Sequence, residues 1–300
     1  MTACAPPSQI PPYFETIERP PIERIPIKTV LVRDQRIAYL DIGTGPALIL
    51  IHGFGGSMWQ WEHQQSALAK QFRVITVDMI GSGLSEKPNI AYTPYELVSF
   101  LRDFMDVLKI EQASLVGNSL GAGIAIGLAL DYPQRVNRLV LISGFPDQVE
   151  KRLASPLFKR ALASNIPHWL AWIGNWLLGK SLTEIVLEEI VHDKTLLTPT
   201  VVERSYRNRK GGGYIAPQMA MVQNVAAWEN GYAKKFSNIR HHTLVIWGAK
   251  DRVFPLSAAK DLVRQIPQAI LHQVEDSGHI PQWEKPGEVN SILCTFLLGR

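Results

Sequence analysis

Ala113-Ser114-Leu115-Val116-Gly117-Asn118-Ser119-Leu120-Gly121-Ala122 decides the fold. Residues 113–116 are apolar and bounded by polar positions, as a short buried strand should be. Gly117-Asn118-Ser119-Leu120-Gly121 then fits G-x-S-x-G, a tight turn that lifts a serine out of the end of a strand. Ala, Gly, Ile and Leu continue to Leu130, a helix apolar enough to lie against a sheet. Glycine is required on both sides of Ser119, because a β-carbon there would collide with the neighbouring strand or helix. The helix N-terminus behind Ser119 offers amide N–H groups and a positive dipole end to a developing oxyanion. The competing reading, a glycine turn that merely joins strand to helix with Ser119 as filler, is decided elsewhere in the chain.

Upstream, residues 1–27 hold seven prolines and little periodicity, and read as a proline-rich N-terminal arm. Residues 29–32 and 36–40 read as a hairpin turning at Asp34-Gln35, followed by a fully apolar strand over 47–51. The loop His52-Gly53-Phe54-Gly55-Gly56-Ser57 is rich enough in glycine to bring an amide close to a reacting atom, and the Phe54 N–H is the candidate. No phosphate-binding glycine motif fits it. His52 is expected to order this loop, and Asp78, before the turn Gly81-Ser82-Gly83, to cap loop amides. The pattern further gives an amphipathic helix over 59–71, a strand over 73–77, and a helix over 93–108 opened by a Thr93/Glu96 capping box with Pro94 at its first position.

After the elbow and a strand over 136–142 the alternation of strand and helix stops. Residues 146–234 contain helical runs only, over 157–165, 169–178, 182–193 and 199–209, and read as an inserted helical cap. The alternation resumes with strands over 243–247 and 269–274 and a closing helix over 288–298. The expected architecture is a mostly parallel central sheet with helices on both faces, built from residues 28–145 and 235–300.

Two polar residues follow the last two strands: Asp251, after Trp247-Gly248-Ala249-Lys250, and His279, in Ser277-Gly278-His279-Ile280-Pro281. Loops at the carboxyl ends of parallel strands share one edge of the sheet, so Ser119, Asp251 and His279 are expected to converge. A serine hydroxyl becomes a useful nucleophile when a neutral imidazole accepts its proton, and a buried carboxylate fixes the tautomer and stabilises the imidazolium. Each residue alone would be ordinary. All three in this order, each after a strand, select the nucleophile reading of Ser119.

With these residues in view, the chain resembles the α/β-hydrolase-fold enzymes, over residues 28–145 and 236–298. The resemblance implies Ser119 as nucleophile, Asp251 as acid, His279 as base, and an oxyanion hole from the N–H groups of Phe54 and Leu120. Epoxide hydrolases and haloalkane dehalogenases of this fold carry aspartate at the elbow, and serine here argues against both. Gly117-Asn118-Ser119 and Gln282-Trp283-Glu284 are similar to the carbon–carbon hydrolases that cleave aromatic ring-fission products. The first loop of those enzymes usually ends Gly-Pro-Gly, where this chain has Gly55-Gly56-Ser57, and they commonly carry tryptophan where this chain has Ile280. The resulting expectation is a carboxylic-ester hydrolase acting through an acyl-enzyme on a small-to-medium apolar substrate. A carbon–carbon hydrolase and a non-catalytic small-molecule binder on the same fold are its alternatives. Cofactor-free perhydrolases share the core as well. No metal or organic cofactor is implied.

In the cap, Trp169, Trp172 and Trp176 are spaced to share one helix face. They would pack the cap on the core, or with Ile280 line the substrate pocket. Contact with a membrane surface is a third use, against which stands the lack of a strongly basic opposite face. Arg204, Arg207, Arg209 and Lys210 read as a solvated basic face from which one arginine could serve a carboxylate-bearing substrate. Net charge is +4 with the charges interspersed, which gives no nucleic-acid signal. No stretch reaches the length of a membrane span, and oligomeric state has no signature. Two cysteines, Cys4 and Cys294, provide neither a disulfide framework nor metal spacing. Localisation is therefore expected to be cytoplasmic. An exported lipoprotein with an upstream start and a lipidated Cys4 is the alternative suggested by Thr2-Ala3-Cys4.

Overall fold

The computed structural model describes residues 25–164, 166–210 and 213–299, so most of the proline-rich arm lies outside the described residues. Eight strands run in chain order: β1 (Lys28–Val32), β2 (Gln35–Ile42), β3 (Ala47–Ile51), β4 (Arg73–Val77), β5 (Ala113–Asn118), β6 (Val136–Ile142), β7 (Thr243–Gly248) and β8 (Ala269–Val274). They form one sheet in the order β1-β2-β4-β3-β5-β6-β7-β8. The β1/β2 and β2/β4 pairings are antiparallel and all the others parallel. β3, β5 and β7 read as continuous apolar runs because both faces of the parallel sheet are covered. The β1–β2 hairpin turns one residue earlier than the sequence suggests, at Arg33-Asp34, since Val32 pairs with Gln35. Both turn residues have positive φ, the geometry that a two-residue loop needs to match strand twist.

Twelve helices accompany the sheet among the described residues. The first three are α1 (Gln65–Leu68), α2 (Pro94–Val107) and α3 (Leu120–Asp131). Between β6 and β7 come α4 (Val149–Arg152), α5 (Pro156–Ala163), α6 (His168–Ile190), α7 (Pro199–Lys210), α8 (Ile215–Gln223) and α9 (Val225–Gly231). The last three are α10 (Leu256–Gln265), α11 (Pro281–Glu284) and α12 (Pro286–Leu297). The helix expected over 59–71 is instead a 3₁₀ turn, Met58–Trp61, followed by the single turn α1. The segment is not amphipathic in place: Met58, Trp59, Gln60, Trp61, Gln64 and Gln65 are all buried. Gln60 Oε1 accepts from Gly53 N, and Gln64 Nε2 donates to Gln282 O, so these buried amides are held by local and distant backbone. The capping box of α2 is present, with Glu96 N donating to Thr93 Oγ1 (3.2 Å) and Thr93 N to Glu96 Oε2 (2.9 Å).

Segment 146–234 has no strand among its described residues, as expected, and its helices are consistent with a cap. The runs 169–178 and 182–193 prove to be one helix, α6. Gly179 lies between the two runs, where a β-carbon would come 2.8 Å from the Tyr206 ring, so glycine there lets α7 approach closely. Cys294 is buried, and Cys4 lies outside the described residues. No described helix is long and apolar enough to cross a membrane.

Candidate functional site

The elbow is built by steric exclusion. Ser119 sits between β5 and α3 with φ 51° and ψ −116°, a strained left-handed conformation for a side-chain-bearing residue. A β-carbon on Gly117 would lie 2.3 Å from Gly121 O, and one on Gly121 would lie 2.2 Å from Ile51 O. No other residue fits either place, so the glycines permit the turn and the turn exposes Ser119. Ser119 N donates to Ile142 O (3.0 Å), tying the elbow to the end of β6.

Asp251 and His279 meet as the strand order requires. His279 Nδ1 lies 2.8 Å from Asp251 Oδ2. The other carboxylate oxygen accepts from Val253 N (2.7 Å) and Phe254 N (3.1 Å), so both oxygens of this fully buried side chain are held. Close approach at the ends of β7 and β8 brings the two loops together. A β-carbon on Gly248 would fall 2.0 Å from Gly278 O.

Ser119 and His279 line one cavity with Phe54, Leu120 and Ile280. Among the described residues, no hydrogen bond from the N–H groups of Phe54 and Leu120 to another backbone group is made. The five residues that sequence reasoning placed at the reacting centre are therefore together. Trp169, Trp172 and Trp176 are not: they do not line the cavity and are 63%, 53% and 69% exposed. They do not pack the cap on the core either, because α6 turns Gly179, Thr183 and Leu187 inward instead. The tryptophans that do line the cavity are Trp59 and Trp228.

Several supports were missed. Asn118, read only as part of a motif, donates from Nδ2 to Ile142 O (3.2 Å) and to His279 O (3.1 Å), linking the elbow to the histidine loop. Glu284 accepts from Gly278 N (2.7 Å), His192 N (2.7 Å) and Asp193 N (3.1 Å), while His279 N donates to Ile190 O (2.7 Å). Burial raises the Glu284 pKa, and these amides oppose the rise. The end of α6 is thus fastened directly to the loop that carries His279. An acid three residues after Pro281 gave no local signal of this, since its two α6-side partners lie some ninety positions away.

Arg204 is not on a solvated face. Its two terminal nitrogens bind Glu62 at 2.8 and 2.9 Å, Trp283 Nε1 donates to the same carboxylate (2.6 Å), and the guanidinium stacks 5.2 Å from the Trp59 ring centre. Burial draws the Arg204 pKa down to about 9. Arg207 is exposed beside Glu203. The side chains of Arg209 and Lys210 lie outside the described ones.

His52 and Asp78 have the structural roles expected of them. His52 Nε2 accepts from Met79 N (3.1 Å) and Nδ1 donates to Gly53 O (2.8 Å), the pattern of a neutral ring. Burial draws its pKa down to about 4. Asp78 accepts from Met58 N and Leu84 N, each at 2.7 Å; burial pushes it up to about 6 against those two bonds. Among the described residues no group of three or more His, Cys, Asp or Glu side chains is disposed to hold a metal ion.

A family model described as alpha/beta hydrolase fold matches residues 46–286. The 2-hydroxymuconate semialdehyde hydrolase of Pseudomonas sp. strain CF600 is 33% identical over 267 residues, covering 86% of this chain and 88% of its own. Among solved structures, a meta-cleavage product hydrolase from Pseudomonas fluorescens IP01 superposes with a TM-score of 0.79 at 27% identity, over 92% of this chain and 98% of that one. An N-acyl homoserine lactone degrading enzyme does so with a TM-score of 0.72 at 26% identity, over 90% and 100%.

Proposed function

The chain belongs to the alpha/beta hydrolase fold family, and from that premise we propose that it is a serine hydrolase of carboxylic esters with an apolar acyl or alcohol group. The observation that carries this reading is the cavity lining. Phe145, Phe158, Leu162, Met221 and Trp228 are typical of its described residues, and no Asp, Glu, Lys or Arg is among them. A buried carboxylate on the substrate would there lose its hydration without gaining a partner, at a cost of several kcal/mol or more.

The proposed reaction begins with attack of Ser119 Oγ on the ester carbonyl carbon while His279 takes the hydroxyl proton. Asp251 holds the ring through Nδ1 and stabilises its charge. The N–H groups of Phe54 and Leu120 receive the oxyanion. As the tetrahedral intermediate collapses, His279 returns the proton to the departing alcohol and leaves an acyl-enzyme. Water then attacks that acyl group with His279 again as base, releasing the acid and restoring Ser119.

A second reading, carbon–carbon hydrolysis, is favoured by the relatives that carry such names. Against it stand a described cavity lining without a cation for a substrate carboxylate and an Arg204 already bound to Glu62. The test is hydrolysis of p-nitrophenyl esters from acetate to decanoate, beside a coloured ring-fission dienoate, by wild type and Ser119→Ala. The ester reading expects ester turnover, a drop of about 10⁴-fold or more in the variant, and little dienoate cleavage. Dienoate cleavage with little ester turnover would replace it by the second reading. Equal ester rates in the two proteins would remove Ser119 from the mechanism, and no turnover of either class would favour a binder.

A further inference from the structure

A helix that is apolar on every side belongs in a protein core or against lipid. The first half of α6 is such a helix: residues 168–179 include no Asp, Glu, Lys or Arg and carry Trp169, Leu170, Trp172, Ile173, Trp176, Leu177 and Leu178. Yet it is not in the core. The three tryptophans, Leu170, Leu177 and Leu178 are all between 46% and 69% exposed, and Leu182 and Ile185 extend the patch by another turn. Scattered exposed leucines are ordinary, but a continuous exposed surface of tryptophan and leucine marks a docking site.

Charge selects the occupant. From Lys151 to Thr183 the chain contains no acidic residue, while Lys151, Arg152, Lys159, Arg160 and Lys180 are cationic. Arg152 and Lys180 are paired with acids, but Lys151, Lys159 and Arg160 are exposed and have no ion-pair partner among the described residues. α5 and α6 both wall the cavity, the former with Phe158, Ala161 and Leu162 and the latter with Thr183, Val186 and Leu187. α5 ends at Ala163 and α6 begins at His168, so along the chain the cations of α5 directly precede the half of α6 that carries the tryptophans. The acids of α6, Glu184, Glu188 and Glu189, are confined to its far end, where the helix joins the histidine loop.

We propose that the outer face of α5 and the first half of α6 form a docking surface for an anionic lipid bilayer, on which the helix lies in the interface plane. Indole rings suit the headgroup level, being apolar bodies with a polar N–H, and nearby cations add attraction to anionic headgroups. The basic face missing from α6 itself is supplied by the neighbouring helix. α6 does not meet the length and hydropathy needed to span, so the contact is peripheral. α5 and the second half of α6 wall the cavity, so docking of this face would bring that wall close to a source of apolar molecules. The proposal does not depend on the ester reading.

The test is flotation of the full chain with vesicles of phosphatidylglycerol and phosphatidylcholine, and with vesicles of phosphatidylcholine alone. Wild type is compared with the combined Trp169→Ser, Trp172→Ser, Trp176→Ser variant and with Lys159→Glu, Arg160→Glu. The melting temperature and far-ultraviolet circular dichroism of each confirm its fold, which substitutions at exposed positions should leave intact. Wild type is expected to float with the anionic vesicles. Binding should fall at least about tenfold without the tryptophans. It should fall at least about fivefold on charge reversal, and with added salt. Wild type that stays with the unbound fraction, or a tryptophan variant that binds as well as wild type, overturns the proposal. A wild-type dimer that becomes monomeric in the tryptophan variant, with no vesicle binding, overturns it in favour of a second copy of the chain.

Discussion

α3 and the first half of α6 are nearly the same kind of sequence. α3 carries no charge before Asp131, and residues 168–179 of α6 carry no Asp, Glu, Lys or Arg; both are apolar on all sides. Their surroundings differ. α3 is enclosed by β5, β6 and β3 on one side and by α2 and the 3₁₀ segment Ala233–Asn238 on the other, and its residues from Gly121 to Ala129 are all buried. α6 touches α7 and α8 along one stripe and leaves its three tryptophans and Leu170, Leu177 and Leu178 exposed. An apolar pattern states what a segment gains by losing water; it does not state that the chain supplies the cover. Elsewhere in the core the two coincide, and on α6 they part.

Truncation should expose the contrast most strongly. Leu128→Ala in α3 removes a fully buried side chain and is expected to cost roughly 2–5 kcal/mol in a urea melt. Trp176→Ala in α6 deletes more atoms, yet should change stability by no more than about 0.5 kcal/mol. Comparable losses from both would mean that the α6 face is covered in solution, and the contrast would dissolve.

Acid should act on the core and not on this part of the cap. The buried His52, near the elbow, has its pKa drawn down from 6.5 to about 4 by burial, and the buried His63 behaves likewise. For each, the unfolded chain takes up a proton at a higher pH than the folded one. Their stabilising contribution is complete above pH 6.5 and is lost as pH falls toward 4. Asp78 has the opposite sign. Its pKa, raised by burial from 3.8 to about 6, makes stability grow as pH falls from 6 to 3.8, which partly offsets the histidines. His52→Gln, which can still accept from Met79 N, removes one histidine contribution. Between pH 6.5 and 4 it should lose about 3 kcal/mol less than wild type in parallel denaturant melts. Identical pH profiles would mean that His52 is not held neutral.

How far the sequence could be read follows the same division. The strands, the elbow and the meeting of Ser119, Asp251 and His279 are local patterns joined by one topological rule, and each was legible. The supports were not. Asn118 reaches His279 O across 161 positions, and Glu284 reaches the His192 amide across 92. Arg204 looked like part of a charged run because its partner, Glu62, stands 142 residues earlier. For the tryptophans of α6 the packing and pocket readings stand ahead of membrane contact because a shared helix face of aromatic residues normally finds a partner within the chain. The pocket tryptophans, Trp59 and Trp228, were not distinguished: Trp59 opens a run whose pattern suggests an amphipathic helix, and no site was read around Trp228.

Glycine positions give a finer test of the same contrast. In α3, a β-carbon on Gly127 would stand 2.3 Å from Val98 Cγ2, and Val98 is wholly buried with nowhere to retreat. Gly127→Ala should therefore destabilise by roughly 1–3 kcal/mol, overpacking outweighing the gain in helix propensity. In α6, a β-carbon on Gly174 would meet nothing within 4 Å. Only the propensity term remains there, so Gly174→Ala should stabilise by up to about 1 kcal/mol, the smallest effect of the set. Thermal melts of the two variants should move in opposite directions. The Gly174 result also reads the surface of α6 directly, because a methyl group there is harmless only while nothing packs against it. If the free protein is destabilised by Gly174→Ala, another surface already lies on that helix before any vesicle is added. If it is stabilised, the face is open and the apolar side chains around it are in water until a partner covers them.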